Sequence, residues 1–203
     1  MGVLSGINNE RFFDYFEDLT KIPRGSGNEQ RVSDYLVKFA ASHGFEYIRD
    51  EMNNVIIYKN ATPGYENSDT VILQGHMDMV NEKNNDKVHN FETDPLTLKV
   101  DGDYIYADGT TLGADNGIAV AFAMAILHSE DIPHPPLEVL ITTQEEVGLI
   151  GAVALQPGLL KGTRLINIDS EEEGVLIAGC AGSVSTTHGI CCFSLRKRIC
   201  GNF

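Results

Sequence analysis

Apolar positions recur along this chain in two alternating rhythms. From Glu10 to Lys21, Phe12, Phe13, Phe16 and Leu19 follow a helical period, and Pro23 ends the run, which predicts an amphipathic helix. A second helical pattern carries Val32, Tyr35, Leu36 and Phe39, with Asn28 placed to cap it and Gly44 to end it. Short runs suited to strands follow at Phe45–Ile48, Val55–Tyr58 and Val71–Leu73. Leu96–Val100 and Tyr104–Tyr106 flank Asp101-Gly102, a strong turn signal, and predict a hairpin. Gly117–His128 is dense in Ala, Ile, Met and Phe and predicts a buried helix. Leu137–Thr143 and Arg164–Ile168 have strand length, with Leu149–Leu155 a short helix between them. Strands alternating with helices predict the α/β class, with a mainly parallel sheet covered on both faces.

Composition narrows the function classes. The 203 residues carry 15 Lys+Arg against 29 Asp+Glu, a formal charge of −14, which disfavours nucleic acid or an anionic membrane surface as partner. Apolar residues make up 42% and charged residues 22%, enough core and too few charges for a disordered chain. No apolar run reaches membrane-span length, and Met1–Glu10 lacks the basic-then-apolar order of a signal peptide. A cytoplasmic protein is expected. Val184–Phe203 contains no acid and groups Arg196, Lys197 and Arg198 with Cys191, Cys192 and Cys200. That cysteine spacing matches no zinc knuckle. Residues 184–203 therefore look discontinuous with residues 1–183, as a frame-shifted or truncated end would.

Four polar clusters stand out, and three of them directly follow an apolar run. His76 and Asp78 follow Val71–Gly75, Asp115 follows Asp108–Ala114, Glu145 and Glu146 follow Ile141–Gln144, and Asp169 follows Leu165–Ile168. Ligands in open α/β sheets bind beyond the carboxyl ends of strands, which would bring these side chains towards one crevice. Each cluster alone has a plainer explanation. His76-x-Asp78 is a common hydrogen-bonded pair, Asp115 could cap the helix that follows, Glu145-Glu146 could place charge at a helix start, and Asp169 with Glu171–Glu173 could be a solvated acidic turn. Jointly, one imidazole and several carboxylates form a nitrogen and oxygen donor set suited to zinc, manganese or cobalt.

Four ordered segments carry a resemblance: Gly75-His76-Met77-Asp78-Met79-Val80, Thr111–Gly117, Thr143–Gly148 and Leu165–Gly174. With the opening Phe16–Asn28, including Ile22-Pro23-Arg24, the chain resembles the M20 metallopeptidases over roughly Glu10 to Gly182, closest to their aminoacyl-histidine (Xaa-His) dipeptidase branch. The resemblance implies a three-layer α/β/α zinc-peptidase-like catalytic domain with a mixed, mainly parallel sheet. It assigns one zinc to His76, Asp115 and Asp169, and a second to Asp115, as bridge, and Glu146. Glu145 would be the general base. Asp78 would fix the tautomer of His76 through its far nitrogen. A cis peptide is implied at Asp115–Asn116.

The same resemblance implies a small peptide substrate. It also implies a lid domain, a dimer contact and a last histidine ligand, for none of which Val184–Phe203 offers room; His188 lacks the family's ligand context. His43, His89, His128 and His134 carry no motif and are expected at the surface or at helix ends. The competing functions are a two-zinc dipeptidase represented by its amino-terminal part, an inactive truncated homologue or metal-binding module, and an N-acyl-amino-acid amidohydrolase. The context of Asn116 and Glu171–Glu173 favours the dipeptidase branch.

Overall fold

In a computed structural model, residues 2–7, 10–170 and 174–179 are described. The chain divides into two compact units, Met1–Ser170 and Glu171–Phe203. Among the described residues the first contains every regular element, in the order α1 Glu10–Thr20, α2 Gln30–Ser42, β1 Glu46–Arg49, β2 Val55–Lys59, β3 Val71–His76, β4 Leu98–Asp101, β5 Tyr104–Ala107, α3 Ala114–His128, β6 Leu137–Thr142, α4 Ile150–Ala154 and β7 Arg164–Asn167. In the second, Gly174–Gly179 forms no helix or strand. The basic, cysteine-containing tail from Val184, with His188, lies outside the described residues, as do Glu171–Glu173.

Alternation along the strands builds two cores. Val55, Ile57, Leu73, Val139 and Ile141 face one side, where α1, α2 and α3 bring Phe16, Leu19, Leu36, Phe39, Met124 and Leu127. Ile56, Ile72 and Leu140 face the other, under Leu155, Leu159 and Leu160. The result is a three-layer arrangement with a thick helical layer and a thin one. β6 is buried at every position because it is central and covered on both faces.

The main sheet has the order β1-β2-β6-β3-β7. It is mixed: β1, β2 and β6 pair antiparallel, whereas β6, β3 and β7 pair parallel. Among the described residues β7 is the edge strand on the parallel side, and it is exposed throughout, with Leu165 at 53% and Ile166 at 52% of full exposure. β4 and β5 form a separate two-stranded ribbon.

Two local expectations are corrected. The hairpin turn is Gly102-Asp103, not Asp101-Gly102, because Asp101 pairs with Tyr104. Gly102 takes φ +58° while Asp103 stays out of the left-handed region, the pattern of a II′ turn, so the register placed the glycine first. Asn28 does not cap α2; the cap position is Glu29, and Asn28 Nδ2 donates instead to Glu92 O.

Candidate metal centre

The parallel strands set the site. Because β3, β6 and β7 run the same way, the residues leaving their carboxyl ends emerge at one edge of the sheet. His76 ends β3, Glu145 and Glu146 follow β6, and Asp169 follows β7. Asp115 arrives by another route, from the start of α3, since β5 before it belongs to the separate ribbon. Helix α3 lies directly on β3 at Gly75, where a Cβ would fall 2.4 Å from Asn116 Oδ1 and 2.6 Å from Ala119 Cβ. That close approach sets Asp115 Oδ1 3.0 Å from His76 Nε2.

Asp115 does not cap α3. Gly113, at φ +67°, holds the cap position without a side-chain bond, and backbone angles at Asp115 and Asn116 are not helical. The Asp115–Asn116 peptide is cis. Glu145 and Glu146 likewise do not cap α4, whose cap position is Leu149.

His76 lies at the middle of the cluster. Its Nε2 is 3.0 Å from Asp115 Oδ1 and 3.8 Å from both Glu145 Oε2 and Asp169 Oδ2. Its Nδ1 faces Asp78, 3.1 Å from the backbone oxygen and 3.3 Å from Oδ1. Two sets of three donor atoms, His76 with Asp115 and Glu146, and His76 with Glu145 and Asp169, each lie within 4.8 Å of one another. All six residues singled out in the sequence are thus near one another. Glu145, expected beside the ligands, groups with Asp169 as closely as a ligand would.

Charge in the cluster is one-sided. Burial opposes a charged His76, yet Asp78, Asp169 and Glu145 outweigh it and lift the ring to about 9. Burial raises Glu145, helped by Asp169, Asp78 and Asp115 against the pull of His76. Burial and Asp115 raise Glu146 and Asp169 as well. Burial alone would raise Asp78, but bonds from His76, Glu145 N and Ser26 reverse this and hold it low. Glu145, Glu146 and Asp169, crowded near one imidazole and each raised, are what a divalent cation relieves. An imidazole nitrogen with carboxylate oxygens suits a hard-to-borderline ion, so the donor set fits the expected metal.

Sequence reasoning missed the residues that support this cluster. Asn116 accepts from His76 N at 3.1 Å and donates to Ile168 O at 2.7 Å and Asp169 Oδ1 at 3.2 Å, tying the exits of β3 and β7 together. Arg24, Ser26 and Glu29 also reach the site; the one sequence signal for them was the Arg-Gly-Ser-Gly run after Pro23. Among the remaining histidines, His43 caps α2 and His128 ends α3, whereas His134 is buried at 5% exposure, contrary to expectation. The Thr62 hydroxyl donates to His134 O at 3.1 Å and accepts from His134 N at 2.9 Å, tying this stretch to the residues after β2.

Comparison with known proteins identifies relatives of the chain as a whole. The cytosol non-specific dipeptidase of Escherichia coli strain K12 is 46% identical over 190 residues, covering 94% of this chain and 39% of that protein. The crystal structure of aminoacylhistidine dipeptidase from Vibrio alginolyticus superposes with a TM-score of 0.82 at 46% identity, over 84% of this chain and 35% of that one. A tripeptidase from Staphylococcus aureus subsp. aureus mu50 gives a TM-score of 0.69 at 28% identity, over 82% of this chain and 44% of that one. The chain therefore spans less than half the length of these relatives. Residues 72–185, more than half of the sequence and including His76, Asp115, Glu145, Glu146 and Asp169, match peptidase family M20/M25/M40, and the chain belongs to that family.

Proposed function

We propose that this chain carries the catalytic centre of a cytoplasmic metallo-dipeptidase acting on Xaa-His dipeptides. The observation that carries the proposal is His76 Nε2 facing Asp115, Glu145 and Asp169 at 3.0 to 3.8 Å. His76, Asp115 and Asp169 would hold one zinc, and Asp115 with Glu146 a second. Manganese or cobalt would suit the same donors. When bound, zinc supplies Lewis-acid polarisation of the peptide carbonyl and acidifies a water.

The chain's own groups do the rest. Glu145 is raised above the ordinary glutamate range, which suits a base that takes a proton from the attacking water and returns it to the leaving amine. Asp78 accepts from His76 Nδ1, so the ring offers Nε2 to the metal. A cavity of about 340 Å³ beside Asp115 and Glu146, walled by Val80, Thr111 and Leu112, is where the small peptide would lie. Among the described residues one imidazole reaches the cluster, a thin nitrogen supply for two zinc ions. The 203-residue chain alone is therefore expected to bind metal and to turn over dipeptide slowly or not at all.

Metal stoichiometry of the purified chain and its variants tests the assignment. Glu145→Gln should keep metal and lose whatever turnover exists, whereas Glu146→Ala and Asp169→Ala should each lose metal. Normal metal content in all three would refute the ligand roles, and full turnover by Glu145→Gln would refute the base.

A further inference from the structure

The connection Arg24–Glu29, between α1 and α2, contributes no donor to the cluster but touches the loops that do. Arg24 is 2% exposed. Its Nη1 donates to Met77 O at 2.9 Å and Asp78 O at 3.2 Å, and its Nη2 donates to Gly113 O. One guanidinium therefore clamps the loop after His76 to the loop before Asp115. Gly113 and Gly117 make room for it, since a Cβ at either would lie 2.5 or 2.6 Å from Nη2. Gly25 pairs with Met79, and Ser26 Oγ donates to Asp78 Oδ2 at 2.8 Å.

Glu29 secures the remaining loop. It is 5% exposed, and its Oε1 accepts from Gly27 N at 2.9 Å and from Gln144 N at 3.1 Å. The next two amides go to Asp78: Glu145 N to Oδ1 at 3.0 Å and Glu146 N to Oδ2 at 3.3 Å. Three consecutive N–H groups thus end on two buried carboxylates, with Gln144 held at φ +50°. A turn fixed at three successive amides has little freedom, so the directions in which Glu145 and Glu146 leave the backbone are fixed with it.

We infer that Arg24–Glu29 is the positioning element of the metal centre. Glu29 fixes the Gln144–Glu146 turn, and Arg24 locks the His76–Asp78 and Gly113–Asp115 loops against each other. The inference rests on the proposed ligand roles of His76, Asp115, Glu146 and Asp169. Arg24, Ser26 and Glu29 act through these residues and touch neither metal nor substrate.

The test uses cobalt(II) as probe on the 203-residue chain, with affinity read by competition against a chromophoric chelator and thermal unfolding recorded for each metal-free form. Glu29→Met keeps the buried volume and removes the acceptor; it should weaken cobalt binding by about 10- to 100-fold, the range for lost supporting partners. Glu29→Gln retains an oxygen for both amides and should restore affinity to within about threefold of the unchanged chain. Unchanged cobalt affinity in Glu29→Met, even with a lowered melting temperature, would make Glu29 merely structural and overturn the inference. If Glu29→Met does not fold, the half-buried Ser26→Ala decides. A weakening of about three- to tenfold supports the inference, and no change overturns it. His76→Ala separates the two levels: if it binds cobalt normally, the ligand assignment itself fails, whatever Glu29 does.

Discussion

At neutral pH the imidazole that should hold the metal already holds a proton. His76 is raised to about 9 by Asp78, Asp169 and Glu145 acting against burial. A ring titrating about two units above pH 7 must give up its proton before Nε2 can ligate, which costs about 3 kcal/mol at 1.36 kcal/mol per unit. The first cobalt(II) bound at about pH 7 should therefore release about one proton, seen by calorimetry in two buffers of different ionisation enthalpy. Affinity should rise about tenfold per pH unit over the accessible range below about 9. Asp78→Asn removes the strongest support for the charged ring, so proton release at about pH 7 should shrink and the pH slope flatten. Absence of proton release from the unchanged chain, with affinity flat across this range, would refute the electrostatic account. The sign for folding follows from the same shift. In the metal-free chain the His76 contribution to stability is fully present below about 6.5 and is lost as pH rises through about 9.

Two further outcomes follow from packing. Gly75→Ala places a methyl against Asn116 Oδ1 and Ala119 Cβ, and should destabilise the fold by about 1–3 kcal/mol in denaturant titration. It should also weaken cobalt binding by moving Asp115 from His76; unaltered stability and affinity would show that α3 can shift freely. β7 presents Leu165, Ile166 and an edge unpaired among the described residues, so the purified chain should self-associate. Ile166→Lys should raise the monomer fraction in sedimentation velocity, and a chain already monodisperse without it would contradict this.

Where local pattern decides structure, the sequence was readable. The apolar runs Val55–Tyr58 and Leu137–Thr143 located two strands, because a strand covered on both faces is apolar along most of its length. The site was readable for a different reason: its donors stand at strand exits, and parallel strands gather their exits. Asp115 escaped that logic, since α3 and not a strand delivers it, and the signal lay in Gly75, a residue without a side chain. The hairpin register was missed by one residue because cross-strand pairing, not the Asp-Gly pair itself, chose the turn. Glu29 was unreadable in principle. A glutamate before a helix looks solvated, and the distant Gln144 amide, which the fold brings to 3.1 Å, joins Gly27 N in making it a buried acceptor.

The spread of donors from His76 to Asp169 has a consequence for how the protein reaches its native state. Nearly half the sequence separates the first donor from the last, and β3, β6 and β7 must be aligned before those donors meet. Closing such loops carries an entropic cost that a metal cannot recover until the sheet already exists. Metal therefore cannot seed folding here as it does where ligands are adjacent in sequence. A bound metal would be expected to enter last, leaving the speed of folding unchanged and slowing escape from the finished structure.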